Sequence, residues 1–473
     1  MHIQNTVMAG VTALSLIAFT ASHAAAQSAP KFVGLGDSIG EGVQSGDANE
    51  MTQPFSFLNL MAWRMGAEFP IPLIRTGLFA SVGDTTDRSR VLPTVRSYNL
   101  AVSGADVSSI LFDTATATTV TQIDSETELV LYPQIGSQIQ IAEQLRPEFI
   151  ACWIGNNDAL GAALAFDQLD ASQLTPVAQF TANFTQLVDR IEATGAKAVF
   201  GTIPDITGIG VLLNQQDLIR FLGSSYGLPA GSLTSVPAMM LVKLGLRDAS
   251  VFSDPAWILD PAEQATISNH VGLLNDVIRT TVLDRGFALV DTHGIFDYLS
   301  SNPLNLFGVT LTTRFLGGLF SLDGVHPSNI GQGLAAFFFI EALNQRYGAA
   351  IPQIDGYTLF QLTATDPFID KDGDGRPTGR FGAGLLETVF SILGISGDSN
   401  DGTLQLPGAA VTPTSFGLAA RTVPAPHSSL ADAIASRRAL DEYARLTGRD
   451  LRRMSRAQQV EDVRALFGTA RRR

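Results

Sequence analysis

The chain has 473 residues, 45% of them hydrophobic and 16% charged, with a formal net charge of −14. It can bury one large core or two medium ones, which excludes a disordered chain, and its acidic balance excludes nucleic acid as a partner, since phosphate binding needs a basic surface. The single cysteine, Cys152, excludes an intramolecular disulfide, and its apolar neighbours Ile150, Ala151, Trp153 and Ile154 mark a buried, inert thiol.

Residues 7–21 form an apolar run too short to span a bilayer comfortably, and small residues follow at 24–26. This is the pattern of an export leader over residues 1–26, cut before Gln27, and it places the mature chain in the periplasm or outside the cell. One departure is that no Lys or Arg precedes the apolar run. Residues 31–33 are apolar and β-prone, and the glycines at 34, 36 and 40 break the pattern around Ser38. A first buried strand thus ends in a sharp turn that stands Ser38 at the open end of a sheet. Thr52 and Pro54 open a helix with Phe55, Leu58, Ala62 and Met65 on one face, closed by Gly66. Residues 98–102 read as a second strand, ending at Ser103-Gly104-Ala105, and a helix follows over 137–145. A third strand, 149–154, stops at Gly155-Asn156-Asn157-Asp158. A helix runs from Thr175-Pro176 to Thr194, with Gly195 as its stop, before a fourth strand at 198–203. Asp260-Pro261 caps a helix to about Leu283, residues 287–291 supply a fifth strand, and Ser328 or Asn329 caps a last helix to about Asn344.

Near-continuous apolar strands alternating with helices imply an α/β fold with a parallel sheet of about five strands, covered on both faces. Ligands of such sheets sit at the carboxyl ends of the strands. Ser38 follows the first strand, Gly104 the second and Asn157 the third, while Asp323 and His326 precede the last helix. All of them gather at one rim. Ester cleavage by a serine needs a base, a group that orients the base, and donors for the oxyanion. Asp323 and His326, three residues apart on one turn, supply the first two, and the Ser38 and Gly104 N–H groups with the Asn157 amide supply the third. The stretch Gly36-Asp37-Ser38-Ile39-Gly40 also satisfies the G-x-S-x-G pattern of α/β-hydrolases. That fold needs several strands ahead of its serine, and residues 27–37 have no room for them.

With these four blocks in this order, the chain resembles the SGNH/GDSL family of serine esterases and lipases over about residues 31–346. The carrying residues are Gly-Asp-Ser at 36–38, Gly104, Gly-x-Asn-Asp at 155–158 and Asp-x-x-His at 323–326. The departures are Ile39 in place of the leucine of the family name, and long material between the third and last blocks. The resemblance implies a flavodoxin-like three-layer sandwich over residues 27–352. It also implies an ester hydrolase with Ser38, His326 and Asp323 as triad and Ser38, Gly104 and Asn157 as oxyanion hole, using no cofactor in the chemistry. The substrate class is a small-molecule or lipid ester. A carbohydrate O-deacetylase, a phospholipid acyl hydrolase and, from another class, a non-catalytic surface-binding protein are the alternatives.

Among the other histidines, His293 closes the fifth strand and can reach the rim, whereas a satisfied strand-end histidine is the plainer reading. Two apolar segments, 211–257 and 304–320, are either an acyl pocket or lid, or an inserted core layer. If they are a pocket, esters of medium or longer acids are preferred. Residues 353–395 form an extension in which Asp370, Asp372 and Asp374 alternate, with Gly375 in the sixth position of a calcium loop. The acid expected at the twelfth position is absent, since Phe381 stands there, so a structural calcium and a solvated acidic turn both stay open. Residues 396–427 read as linker. Residues 428–473 read as an Arg-rich helical tail that is solvated or touches anionic surfaces.

Overall fold

The computed structural model describes residues 30–398, apart from 78–79, 84, 165–169 and 380–383. The expected leader, the Arg-rich tail and all but the first residues of the linker lie outside the described residues.

The chain enters through β1 (Phe32–Gly36), every residue of which is buried, and turns at once into a single helical turn, α1 (Ser38–Glu41). Next come α2 (Phe57–Met65), α3 (Gln138–Leu145), β2 (Phe149–Trp153), α4 (Asn157–Leu164), α5 (Val177–Thr194) and β3 (Lys197–Gly201). The body closes with α6 (Pro261–Asp284), β4 (Ala288–Val290), α7 (Thr292–Ser301) and α8 (Asn329–Tyr347). The strands pair in parallel in the order β1-β2-β3-β4, with Phe32 opposite Phe149 and Gly36 opposite Trp153.

The expected second strand, 98–102, runs along the free edge of β1 through bonds from Gly34 N to Tyr98 O (3.0 Å), Leu100 N to Gly34 O (2.9 Å) and Val102 N to Gly36 O (3.1 Å). It forms only one bridge, Gly34 to Asn99, so four full strands and an extended segment replace five strands. Polar side chains explain the difference. Asn99 Oδ1 accepts from Ala101 N (3.2 Å) and Ser97 Oγ donates to Asn99 O, which draws backbone groups away from a ladder. Counting this segment, the spatial order is that of a flavodoxin-like sheet.

Side chains alternate along each strand, and the two faces fill two apolar layers. Val33, Leu35, Ile150, Cys152, Ala198 and Phe200 pack with residues of α3, α5 and α6, whereas Phe32, Phe149, Ala151, Trp153 and Val199 pack with α2 and α8. The helix start near residue 52 needs correction. Thr52 and Pro54 belong to a short 3-10 turn (Gln53–Phe55), and α2 begins after Ser56, whose side chain accepts from Leu58 N. At α6 the Asp260 and Glu263 side chains form a reciprocal capping box with Pro261 in the first turn.

The two apolar segments are mainly core. Residues 211–259 fold as a small antiparallel sheet with helices Gln215–Leu222 and Val236–Lys243, burying Leu213, Leu218, Met239 and Phe252. Residues 304–311 are a hairpin (Leu304–Leu306 with Val309–Leu311). Phe307 packs on Phe360 of the extension, and Phe315 packs on Phe221 and Phe390. Among the described residues no helix is long and apolar enough to cross a membrane.

Candidate active site

Ser38 stands where β1 stops. Gly36 has φ +148°, and a Cβ there would lie 2.5 Å from the Trp153 carbonyl oxygen, so only glycine lets β1 end this close to β2. Asp37 caps α1 by accepting from Ile39 N (3.0 Å), and Asn156 Nδ2 donates to its other oxygen (2.8 Å), tying the ends of β1 and β2 together. Burial pushes the Asp37 carboxyl up to about 6 against these bonds.

The partner groups arrive 288 residues later in sequence. His326 Nε2 lies 2.8 Å from Ser38 Oγ, and His326 Nδ1 lies 2.7 Å from Asp323 Oδ2. Asp323 Oδ2 also accepts from Gly46 N (2.8 Å), while Oδ1 accepts from Val325 N (2.8 Å), His326 N (2.9 Å) and Ser321 Oγ (3.1 Å). Burial alone would raise this carboxyl, but the His326 charge and these hydrogen bonds outweigh it and hold it below its ordinary value. An ionised Asp323 accepts only, so the proton between the two sits on Nδ1 and leaves the Nε2 lone pair facing the serine hydroxyl. Gly324 (φ +69°) lets the turn pass against Val211, whose N–H donates to Gly324 O (2.9 Å). The inserted segment therefore backs the acid–base turn.

Gly104 occupies the third place of a tight turn closed from Ala105 N to Val102 O (3.1 Å), and its φ of +80° is the positive value a type II turn requires there. Asn157 Nδ2 donates to Ala105 O (2.8 Å), so this amide stands against the same turn. The Ser38 N–H is the first of α1, a position without an intrahelical acceptor. Ser38, Gly104, Asn157, Asp323 and His326 thus come together at the carboxyl rim.

The other two histidines among the described residues are engaged elsewhere. His293 Nδ1 meets Ile203 O (3.1 Å) and its Nε2 lies 3.5 Å from Asp297, while His270 Nε2 meets Thr175 O (2.8 Å). Cys152 is buried, and burial with the nearby Asp37 pushes its thiol far up. Sequence reasoning missed Gly46 and Ser321, which hold Asp323, and Glu41, which holds Ser103. The only trace of Glu41 is an acid inside the glycine-rich run 34–42.

One cavity reaches Gly104, and a second includes Pro327, the neighbour of His326, without any of the five rim residues in its wall. The first, of about 120 Å³, lined by Gly104, Ser103, Ser109, Asp113, Thr127 and Gln138, is largely polar. The second, of about 100 Å³, is apolar and lies behind Pro327, with Trp153, Phe296, Phe320, Leu334 and Phe338 in its wall. Away from the rim, carboxylate oxygens of Asp370, Asp372 and Asp374 lie within 4.8 Å of one another. Asp370 already accepts from Gly373 N and Gly375 N (2.7 Å each), and Phe381 is outside the described residues. Hard carboxylate donors of this kind suit calcium chemistry.

An α/β sheet with a serine and an acid–base pair at its carboxyl rim defines an ester-bond hydrolase. The sequence model of the GDSL-like lipase/acylhydrolase family matches residues 32–336, and the chain belongs to that family. Among solved structures, LAE5, an alpha/beta hydrolase enzyme from the metagenome of Lake Arreo, Spain, is 16% identical and covers 67% of this chain and 96% of its own, with a TM-score of 0.33. A variant of Axe2, an acetyl xylan esterase from Geobacillus stearothermophilus, is 13% identical and covers 67% and 95%, with a TM-score of 0.31. At these scores neither likeness bears on substrate or mechanism. A sequence search of curated proteins finds no match.

Proposed function

We propose that the chain is an exported serine carboxylic-ester hydrolase working through an acyl-enzyme. The observation that carries this is the continuous relay from Ser38 Oγ to His326 Nε2 (2.8 Å) and from His326 Nδ1 to Asp323 (2.7 Å). His326 takes the hydroxyl proton as Ser38 Oγ bonds to the ester carbon. The carbonyl oxygen becomes an oxyanion held by Ser38 N, Gly104 N and the Asn157 amide. The C–O bond to the alcohol then breaks, and the alcohol leaves with the proton from His326. Water repeats the sequence on the acyl-enzyme and releases the acid. Asp323 stabilises the imidazolium through both tetrahedral steps without taking its proton. A fluorophosphonate probe tests the reading: it should label the wild type and leave Ser38→Ala unlabelled, and equal labelling of both would refute it.

The substrate is an ester of modest acyl length. An expectation of medium or longer acids drew on segments 211–257 and 304–320; most of their side chains are in the core, while Leu319 and Phe320 line an apolar cavity next to the acid–base turn. That cavity, about 100 Å³, is assigned to the acyl chain and reaches the site through Pro327, the neighbour of His326. It is smaller than the roughly 150 Å³ that accepts benzene, which limits the chain to a few carbons. A second reading, a carbohydrate O-deacetylase, draws on the polar cavity against Gly104, whose hydroxyls, amide and carboxylate suit a sugar. Catalytic efficiency over acyl length decides: a peak at about four to six carbons supports the first reading, and a maximum at acetyl with steady decline supports the second. Export rests on the apolar leader, and a mature N-terminus at Gln27 by mass spectrometry is the expected result. A structural calcium at Asp370, Asp372 and Asp374 completes the proposal.

A further inference from the structure

We propose that Glu41 is a positioning residue for the oxyanion hole: its carboxyl anchors Ser103 so that the next peptide presents the Gly104 N–H to the ester carbonyl. This rests on the reading of Ser38 and Gly104 given above.

Glu41 ends the single turn of α1 that begins with Ser38. It is fully buried, which glutamate rarely is unless its charge or hydrogen bonds have a partner. Its Oε2 accepts from Ser103 N (2.7 Å) and also from the Ser103 hydroxyl. The other oxygen, Oε1, is buried without a hydrogen-bond partner. Burial first, then the neighbouring Glu126, pushes this carboxyl well above its ordinary value, while Arg88 and Ser103 pull it back. Arg88 is itself paired with Glu126 and lies 3.5 Å from Asp47. A half-satisfied acid in so crowded a place is a poor device for stability, because a buried polar atom without a partner costs free energy.

Geometry gives it another use. Type I and type II turns share the same closing bond and differ by a flip of the central peptide, here the one joining Ser103 to Gly104. Glycine at 104 tolerates both forms, so its own conformation does not choose between them. Glu41 fixes the N–H and hydroxyl of Ser103, where the turn begins, and Asn157 fixes Ala105 O, where it ends (2.8 Å), so the turn that carries the Gly104 N–H is held in place against α1 as a unit. The nucleophile and the oxyanion donor are thereby tied through one rigid helical turn.

The test compares Glu41→Ala, Glu41→Gln and Ser103→Ala with the wild type on a small soluble ester, with Ser38→Ala as control and unfolding curves for each. Glu41→Gln keeps an oxygen for Ser103 and should stay within about threefold in kcat, whereas Glu41→Ala should lose on the order of 10–100-fold in kcat at nearly unchanged KM. The rate of phosphonate labelling should fall in parallel, since that adduct also places an oxygen in the oxyanion hole. Wild-type kcat in a folded Glu41→Ala overturns the proposal, as does a Gln variant as impaired as Ala. If Glu41→Ala does not fold, Ser103→Ala decides: a several-fold fall in kcat at constant KM supports the proposal, and unchanged kcat overturns it. A Ser38→Ala protein that still turns over would instead refute the nucleophile assignment, which keeps the two failures apart.

Discussion

Two buried aspartates stand on opposite sides of the Ser38–His326 contact and respond to burial in opposite ways. Asp37, in the turn after β1, is pushed up to about 6 by burial, with one backbone and one amide donor to offset it. Asp323, in the turn before α8, is held below its ordinary value because three backbone N–H groups, a hydroxyl and the His326 ring all point at it. Depth is similar and the His326 charge pulls both down, so donor count and the direct bond to the imidazole decide the sign. The C-terminal turn is built to keep a charge, whereas the N-terminal turn is built to hold a shape.

The largest break in this contrast should come from the charged side. Asp323→Asn leaves the geometry nearly intact but favours the wrong imidazole tautomer, and kcat should fall by roughly 10⁴-fold. Ser38→Ala and His326→Ala should remove nearly all turnover, with the far-ultraviolet dichroism unchanged. His293→Ala should retain activity, because that ring bonds Ile203 O and not Ser38. Loss with His293→Ala and survival with His326→Ala would reverse the assignment of the base. Asn157→Ala comes next, at on the order of a hundredfold in kcat, because one oxyanion donor is removed and the relay stays whole.

Much of this was legible in the sequence, for a physical reason. The family, the α/β class and the ester-hydrolase activity rest on four short blocks, three placed where a buried strand or extended segment stops and one on the turn before the last helix, and apolar runs bounded by glycine mark such stops well. What stayed hidden depends on contacts far apart in the chain. Nothing near Gly46 or Ser321 tells that both donate to Asp323, since one bond spans 277 residues and the other only acquires meaning once the turn is folded. The helix start near 52 was misjudged because Pro54 suits a 3-10 turn as well as a first helical turn, and Ser56 holds the cap. The segments 211–257 and 304–320 left two readings open, since composition makes apolar residues without saying which surface they meet.

The Asp37 side of the comparison is sharpened by pH. The Asp37 pKa in the folded state, about 6, lies above its value of 3.8 outside the fold, so its contribution to stability is complete below 3.8 and is lost as pH rises through 6. Asp158 (about 7) and Asp366 (about 6) carry the same sign. Asp323, with a depressed pKa, runs the other way, and its contribution is lost only in acid, below its ordinary range. Urea unfolding should therefore show higher stability at pH 5 than at pH 8. Asp37→Asn should remove its share of that difference, on the order of 1–1.5 kcal/mol between pH 5 and pH 8. The Asn156 amide can turn so that its Oδ1, which has no partner now, accepts from the new side chain. A variant with the same slope as the wild type would show that Asp37 stays ionised throughout.

The smallest effect is expected from a third set of carboxylates, those at 370–374, which differ from both aspartates by lying at the surface. Asp372 and Asp374 are exposed, and Asp374 is pushed up by desolvation and by the carboxylates of Asp398 and Asp372, a crowding that a divalent cation would relieve. Calcium binding the folded chain at ten times its dissociation constant adds about 1.4 kcal/mol. For a chain of this size that is a rise in Tm on the order of 1–3 °C. Turnover of a small ester should be unchanged, because the loop lies in the extension, outside the Ser38–His326–Asp323 relay. Titration calorimetry with a calcium-dependent heat that disappears in Asp370→Asn/Asp372→Asn, together with the shift in Tm, is the expected result. No heat and no shift would leave the loop a solvated acidic turn, with the bonds from Gly373 and Gly375 to Asp370 among those that shape it.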